Sequence, residues 1–184
     1  MSLPTKEEAL KILKEHVKDS YQQLHALMVA SALEQIATLK NQDTTLWFVT
    51  GLLHDLDYYE YPKEHPKKSL EWFKEWGYPE DLIRAVEAHA YSRINAPKPD
   101  TMLSKYLYAT DELSGLMYAY SLMRPTGFQD MAPKSVVKKL KDKRFAAKVD
   151  RTEVNEALEM IDEPRNEFIQ ILIDVYSKMP ALKK

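Results

Sequence analysis

At residues 46–57 the chain reads LWFVTGLLHDLD. The segment before the final HDLD carries no charge and is mostly apolar, and it is preceded by Asp43, a residue type that often caps helix N-termini. This predicts a short apolar helix over about residues 44–55, ending in the pair His54-Asp55. Two polar side chains at the end of such a helix, beside a turn, can reach one point in a cleft. The pair is therefore the first candidate for a functional site.

The rest of the chain has the same helical character. Only four glycines occur in 184 residues, and apolar residues recur at spacings of three and four. Thr5 with Glu8, and Ser20 with Gln23, have the spacing of helix-opening capping boxes. We predict an all-α, single-domain helical bundle with a loop over about residues 56–65. The predicted helices end at about residue 18 and then cover about 21–40, 44–55, 66–76, 79–90, 101–123, a short stretch after 133, 152–161 and 164–179.

Composition excludes several classes of function. The 26 basic and 28 acidic residues give a net charge of −2, so we expect no binding to DNA or to an anionic membrane. Cysteine is absent, which excludes disulfides and thiolate metal sites and leaves histidine and carboxylates as metal ligands. The sequence has no apolar signal core at its start and no apolar stretch of the roughly 18 residues that span a bilayer. A cytoplasmic location is expected.

Three polar residues fall where the helical pattern favours apolar ones: His25, His89 and Asp111. Taken singly, a buried aspartate is commonly paired with a cation, and a buried histidine is commonly hydrogen-bonded. One shared divalent cation would satisfy all of them, together with His54 and Asp55. Imidazoles with carboxylates form the ligand set of hydrolytic and oxygen-using metals.

The order of His25, the pair His54-Asp55 and Asp111 resembles the HD-domain superfamily of metal-dependent phosphohydrolases. GLLHDLD at 51–57 looks like the family's apolar helix and His-Asp corner, and ATDEL at 109–113 looks like its distal aspartate helix. The similarity covers about residues 20–120. It implies that these four residues bind one metal in a helical core over residues 1–124. A basic segment and C-terminal helices packed on this core are expected over 125–184.

Two further histidines extend the resemblance. Many members of the family that bind two metals carry two histidines between the His-Asp pair and the distal aspartate, and His65 and His89 fall in that interval here. The resemblance implies that they hold a second ion, with Asp55 bridging both ions. The alternative for His65 is a solvent-facing residue near a helix start.

One position departs from the family pattern. Several relatives have a phosphate-binding lysine three residues after the aspartate of the pair, where this chain has Tyr58. Phosphate contacts must then come from elsewhere, and Arg124, Lys134 and Lys138 in or before the basic stretch 134–148 are the candidates. A solvated helix face is the alternative explanation of that stretch.

These observations predict a metal-dependent phosphohydrolase. The expected cofactors are one or two divalent ions (Mn, Fe, Mg, Co or Zn), with Asp55 as the catalytic residue that orients a metal-activated water. The expected substrate is a small phosphorylated molecule, with a nucleotide favoured. Two alternatives stay open: a di-iron oxygenase of the same fold, and a regulatory domain that binds a nucleotide without turnover.

Overall fold

A computed structural model describes residues 3–183, and over these residues the protein is all-α. No described helix is long and apolar enough to cross a membrane. The helices are α1 (Lys6–His16), α2 (Ser20–Leu39), α3 (Thr44–Leu53), α4 (Lys67–Glu75), α5 (Glu80–His89), α6 (Met102–Leu122), α7 (Pro133–Lys141), α8 (Arg151–Met160) and α9 (Arg165–Tyr176), followed by a short 3-10 helix (Pro180–Leu182).

All the predicted helices are present, with small differences at their ends. The capping box of α1 is confirmed: the Thr5 hydroxyl accepts from the Glu8 amide, and the Glu8 carboxylate accepts from the Thr5 amide at 2.8 Å. The predicted capping box of α2 is wrong. Asp19 caps this helix by accepting from the Gln22 amide at 2.8 Å, and Ser20 is already the first helical residue. Aspartate and serine are both good caps, so the pattern alone did not separate them.

The chain divides into two compact units, Met1–Tyr108 and Ala109–Lys184, and the division falls inside α6. The first unit contains α1 to α5 and the start of α6, and the second contains the rest of α6 with α7 to α9. The predicted boundary after residue 124, and the packing of the C-terminal helices on the core, stay predictions.

The apolar helix α3 is central to the first unit, where it packs against α1, α2 and α5. Val49, Leu52 and Leu53 are completely buried in its core. α2 approaches α3 so closely that a Cβ added at Gly51 would lie 2.9 Å from the Cα and backbone N of Ala30. Glycine at this position is therefore required by the close contact between two helix backbones.

The second unit has its own buried face. α7 packs on α9 and buries Val136 and Leu140, while its lysines lie on other faces. The turns before α8 are organised by Arg151, whose guanidinium donates to the carbonyls of Phe145, Ala146 and Val149.

Gly51→Ala tests the close packing of α2 on α3. In an open helix this change stabilises by up to about 1 kcal/mol, because alanine has the higher helix propensity. Here we expect a loss of about 1–3 kcal/mol in the free energy of unfolding, since the methyl group meets backbone atoms. Chemical denaturation measures it, with Gln35→Ala on the exposed side of α2 as the control. A more stable Gly51→Ala protein would contradict the packing.

Candidate metal centre

Four of the five histidines of the chain lie together in the first unit, where each imidazole ring has another histidine ring with its centroid 5.0–5.5 Å away. His25 is in α2, His54 follows the last residue of α3, His65 lies in the turn before α4, and His89 is the last residue of α5. Asp55 follows His54 directly. His54 and His89 are completely buried, His65 is 8% exposed, and the side chain of Asp55 is 27% exposed.

Asp55, His65 and His89 form a tight triangle of ligand atoms, which we call the His65 group. His65 Nε2 lies 3.1 Å from His89 Nε2 and 3.2 Å from Asp55 Oδ1, and His89 Nε2 lies 3.5 Å from the same oxygen. Atoms bound about 2.0–2.2 Å from one ion lie roughly 3.0–3.5 Å from each other. The triangle therefore has the size that a single metal ion requires.

His25, His54 and Asp55 form a second set, which we call the His54 group. Each offers a ligand atom, and these atoms lie within 4.8 Å of one another. His54 Nε2 is 3.4 Å from Asp55 Oδ2, whereas the His65 group uses Asp55 Oδ1. The two oxygens of one carboxylate thus face two different sets of imidazoles.

Asp111 was predicted to complete the first metal position. It lies on α6 in the second unit, just after the division that follows Tyr108, and it is 7% exposed. Its role as a ligand stays a prediction.

Hydrogen bonds at the opposite ring nitrogen orient three of these imidazoles. His54 Nδ1 donates to the Gly51 carbonyl at 2.8 Å, His89 Nδ1 donates to the Val86 carbonyl, and His65 Nδ1 donates to Asp57 Oδ1 at 2.7 Å. Because carbonyl and carboxylate oxygens only accept, the proton is on Nδ1 and the Nε2 lone pair is left for a metal. The donor set suits a divalent ion bound by nitrogen and oxygen.

Asp57 is a site residue that the sequence analysis missed. It is completely buried, and beyond its bond to His65 its Oδ2 accepts from the Ser69 amide at 3.1 Å. Its own amide donates to Ser69 Oγ at 3.0 Å. The available signal was a second aspartate two positions after Asp55 in an otherwise apolar segment.

The surrounding imidazoles control the charge of Asp55. Burial raises the pKa of this carboxyl, but the interactions with His54, His89 and His65 outweigh burial and bring the pKa well below the usual range. Burial also lowers the pKa of His89, although Asp55 opposes this effect. Both shifts favour the protonation states that bind metal, an ionised carboxylate and a neutral imidazole.

The fifth histidine and the basic residues named from the sequence belong to neither group. His16 packs on Trp72, with ring centroids 4.5 Å apart, as a structural residue. Lys134 and Lys138 are exposed on α7. Arg124 donates to the carbonyls of Gly127 and Gln129 at 2.9 and 2.8 Å.

Comparison with protein families agrees with this geometry. The family model described as HD domain matches residues 23–116, about half of the chain, and so includes His25, the pair His54-Asp55 and Asp111. The chain belongs to the HD-domain family. This family is one of metal-dependent phosphohydrolases, and the His and Asp groups of this HD-domain protein are compatible with such a role. No curated protein and no solved structure gave a significant match.

His54→Ala tests whether this HD domain holds metal through these groups. We expect the purified wild-type protein to retain a divalent metal and the variant to lose most of it, because His54 Nε2 faces Asp55 Oδ2. Elemental analysis after desalting measures the metal per chain. His16→Ala removes a histidine outside the site and should leave the metal content unchanged. Equal metal in His54→Ala and the wild type would contradict the assignment.

The stability of the metal-free protein should depend on pH through His89. Its folded-state pKa is depressed from 6.5, so the unfolded chain binds a proton that the folded chain does not. Stability is therefore present above pH 6.5 and lost below it, by at most about 1.4 kcal/mol per pH unit from this residue. Denaturation in EDTA between pH 7 and 5 measures this, and His89→Gln should show a shallower decline. An equally steep decline in that variant would rule out His89 as the cause.

Proposed function

We propose that this HD-domain protein hydrolyses a phosphate ester or anhydride of a small molecule, with a small nucleotide as the expected substrate. The supporting observation is the position of Asp55, whose two oxygens face the His54 group and the His65 group separately. A carboxylate shared in this way supports two adjacent ions, the arrangement used to bind the attacking and leaving oxygens in phosphate hydrolysis.

The proposed ligands are His25, His54, Asp55 and Asp111 for one ion and Asp55, His65 and His89 for the other. Divalent ions bound there would supply a water of lowered pKa and neutralise charge on the phosphoryl oxygens. Mn, Fe, Mg, Co and Zn all accept nitrogen and oxygen ligands, so each of these ions suits the proposed ligand set.

Asp55 is the proposed catalytic residue. Its low pKa keeps it ionised near neutral pH, so that it accepts a hydrogen bond from the attacking water and orients it toward phosphorus. Its partial exposure, in contrast to the complete burial of His54 and His89, leaves this side of the groups accessible to a substrate.

Phosphate binding is proposed for Lys134 and Lys138, whose side chains are exposed on a helix with little acidic charge. Arg124 was a third candidate. Because its guanidinium donates to two backbone carbonyls of its own turn, we propose a smaller contribution from it.

A second candidate function is nucleotide binding without turnover. The observation that favours it is Tyr58, which stands where several relatives have a phosphate-binding lysine. This tyrosine is 41% exposed and lies edge-on to His65, with ring centroids 5.3 Å apart. An aromatic ring at the edge of the site can stack on a base but cannot neutralise a phosphate.

Product release separates the candidates. The full chain, loaded with Mn²⁺, is assayed for phosphate or nitrophenol release from nitrophenyl phosphates and nucleoside mono-, di- and triphosphates. We expect turnover of at least one substrate. Tight nucleotide binding without product would support the binding function instead, and oxygen consumption by the Fe²⁺-loaded protein without phosphate release would support the oxygenase alternative.

Asp55→Asn should reduce the phosphatase rate by roughly 100-fold or more, since loss of outer-shell partners alone costs about 10–100-fold at metal sites. The variant removes the charge shared by both groups and nearly preserves the shape of the side chain. Glu60→Gln neutralises an exposed carboxylate in the same turn and is the matched control, with a rate expected near that of the wild type. Similar rates for Asp55→Asn and the control would contradict the role of Asp55.

A further inference from the structure

The imidazoles of the metal centre differ in the group that accepts the hydrogen bond from Nδ1. His54 and His89 donate from Nδ1 to peptide carbonyls, which are neutral acceptors. His65 donates to Asp57, which is a completely buried carboxylate. His65 is thus held between two aspartates, with Nδ1 2.7 Å from Asp57 Oδ1 and Nε2 3.2 Å from Asp55 Oδ1.

We propose that Asp57 is a positioning residue that acts through His65 and selectively strengthens metal binding in the His65 group. This inference rests on the proposed function, because it requires that the group binds an ion. It goes beyond that proposal in one respect: the two positions should differ in metal affinity. The residue that causes the difference, Asp57, belongs to neither ligand set.

The carboxylate acts on the imidazole in two ways. It holds the proton on Nδ1, so that the lone pair of His65 stays on Nε2, and it fixes the plane of the ring. A charged acceptor also increases the electron density that the imidazole offers to a metal, more than a peptide carbonyl does. His54 and His89 receive the first effect from their carbonyl partners but not the second.

Ser69 holds Asp57 in the orientation that this role needs. The Ser69 amide donates to Asp57 Oδ2 at 3.1 Å, and the Asp57 amide donates to Ser69 Oγ at 3.0 Å. One carboxylate oxygen is therefore fixed by α4 and the other is directed to His65.

An asparagine at this position cannot make both contacts. If its oxygen accepts from the Ser69 amide, its NH₂ group faces His65 Nδ1 and forces the ring proton onto Nε2, where it blocks the metal. If its oxygen accepts from His65, its NH₂ group faces the Ser69 amide, which is also a donor. Asp57→Asn therefore disturbs the proton position or the orientation of His65 with almost no change in volume.

Titration of the metal-free full chain with Co²⁺, followed by calorimetry, tests the proposal. The wild type should show two binding events. In Asp57→Asn one event should weaken by roughly 10–100-fold, the usual cost of losing an outer-shell partner, and the other should be unchanged. His65→Ala should weaken the same event, and Asp57→Asn should add nothing further in that background, because Asp57 acts through His65.

Asp81→Asn is the matched control. It makes the same chemical change at an exposed aspartate in the first turn of α5, outside the metal centre, so both Co²⁺ events should persist. Asp57→Asn that binds two Co²⁺ ions like the wild type would overturn the inference and leave the proposed function intact. Equal weakening of both events with a lower melting temperature of the metal-free protein would also overturn it, since that indicates a structural role. A wild type that binds no Co²⁺ would contradict the proposed function as well.

A second measurement needs no variant. In the Zn²⁺-loaded wild type with ¹⁵N-labelled histidines, NMR should show the proton of His65 on Nδ1 and its Nε2 bound to metal. The Nδ1 proton of His65 should resonate further downfield than those of His54 and His89, because its acceptor is charged. A proton on Nε2 of His65 would overturn the inference even if Asp57→Asn fails to fold.

Discussion

The shared carboxylate of Asp55 is the feature on which the site depends. Its two oxygens lie near imidazole nitrogens of different helices and turns, at 3.2 Å from His65 and 3.4 Å from His54. Bringing several lone pairs and a negative charge together in a mostly buried place is costly unless a cation compensates. The apolar helix α3, closely packed on α2 at Gly51, is what places this residue and His54 against the other imidazoles.

Much of the fold could be predicted because helical periodicity and capping residues are local signals. The Thr5–Glu8 capping box and the position of α3 follow from residues close together in the chain. The N-terminus of α2 shows the limit of such signals. Asp19 and Ser20 are adjacent and both residue types cap helices well, and the structure has Asp19 in the extended conformation of an N-cap. The division inside α6 had no local signal in the sequence.

The sequence predicted which histidines face the metal centre. It did not predict the hydrogen bonds that orient their rings. His54, His65 and His89 follow from the family pattern, and the structure brings them together with Asp55. The hydrogen bonds that orient their rings depend on how helix ends and turns present carbonyls and on a contact between Asp57 and Ser69 twelve residues apart. Residue order carries no information about such angles, which is why Asp57 was missed. The substrate is likewise undetermined by periodicity and spacing.

The most direct test of the central claim is a crystal structure of the Mn²⁺-loaded protein with anomalous scattering recorded for manganese. We expect two anomalous peaks roughly 3.5–4 Å apart, one on each side of the Asp55 carboxylate. One peak should contact His65 and His89, and the other should contact His25 and His54. Manganese bound only elsewhere, with Asp55 and its imidazoles contacting no ion, would contradict the account.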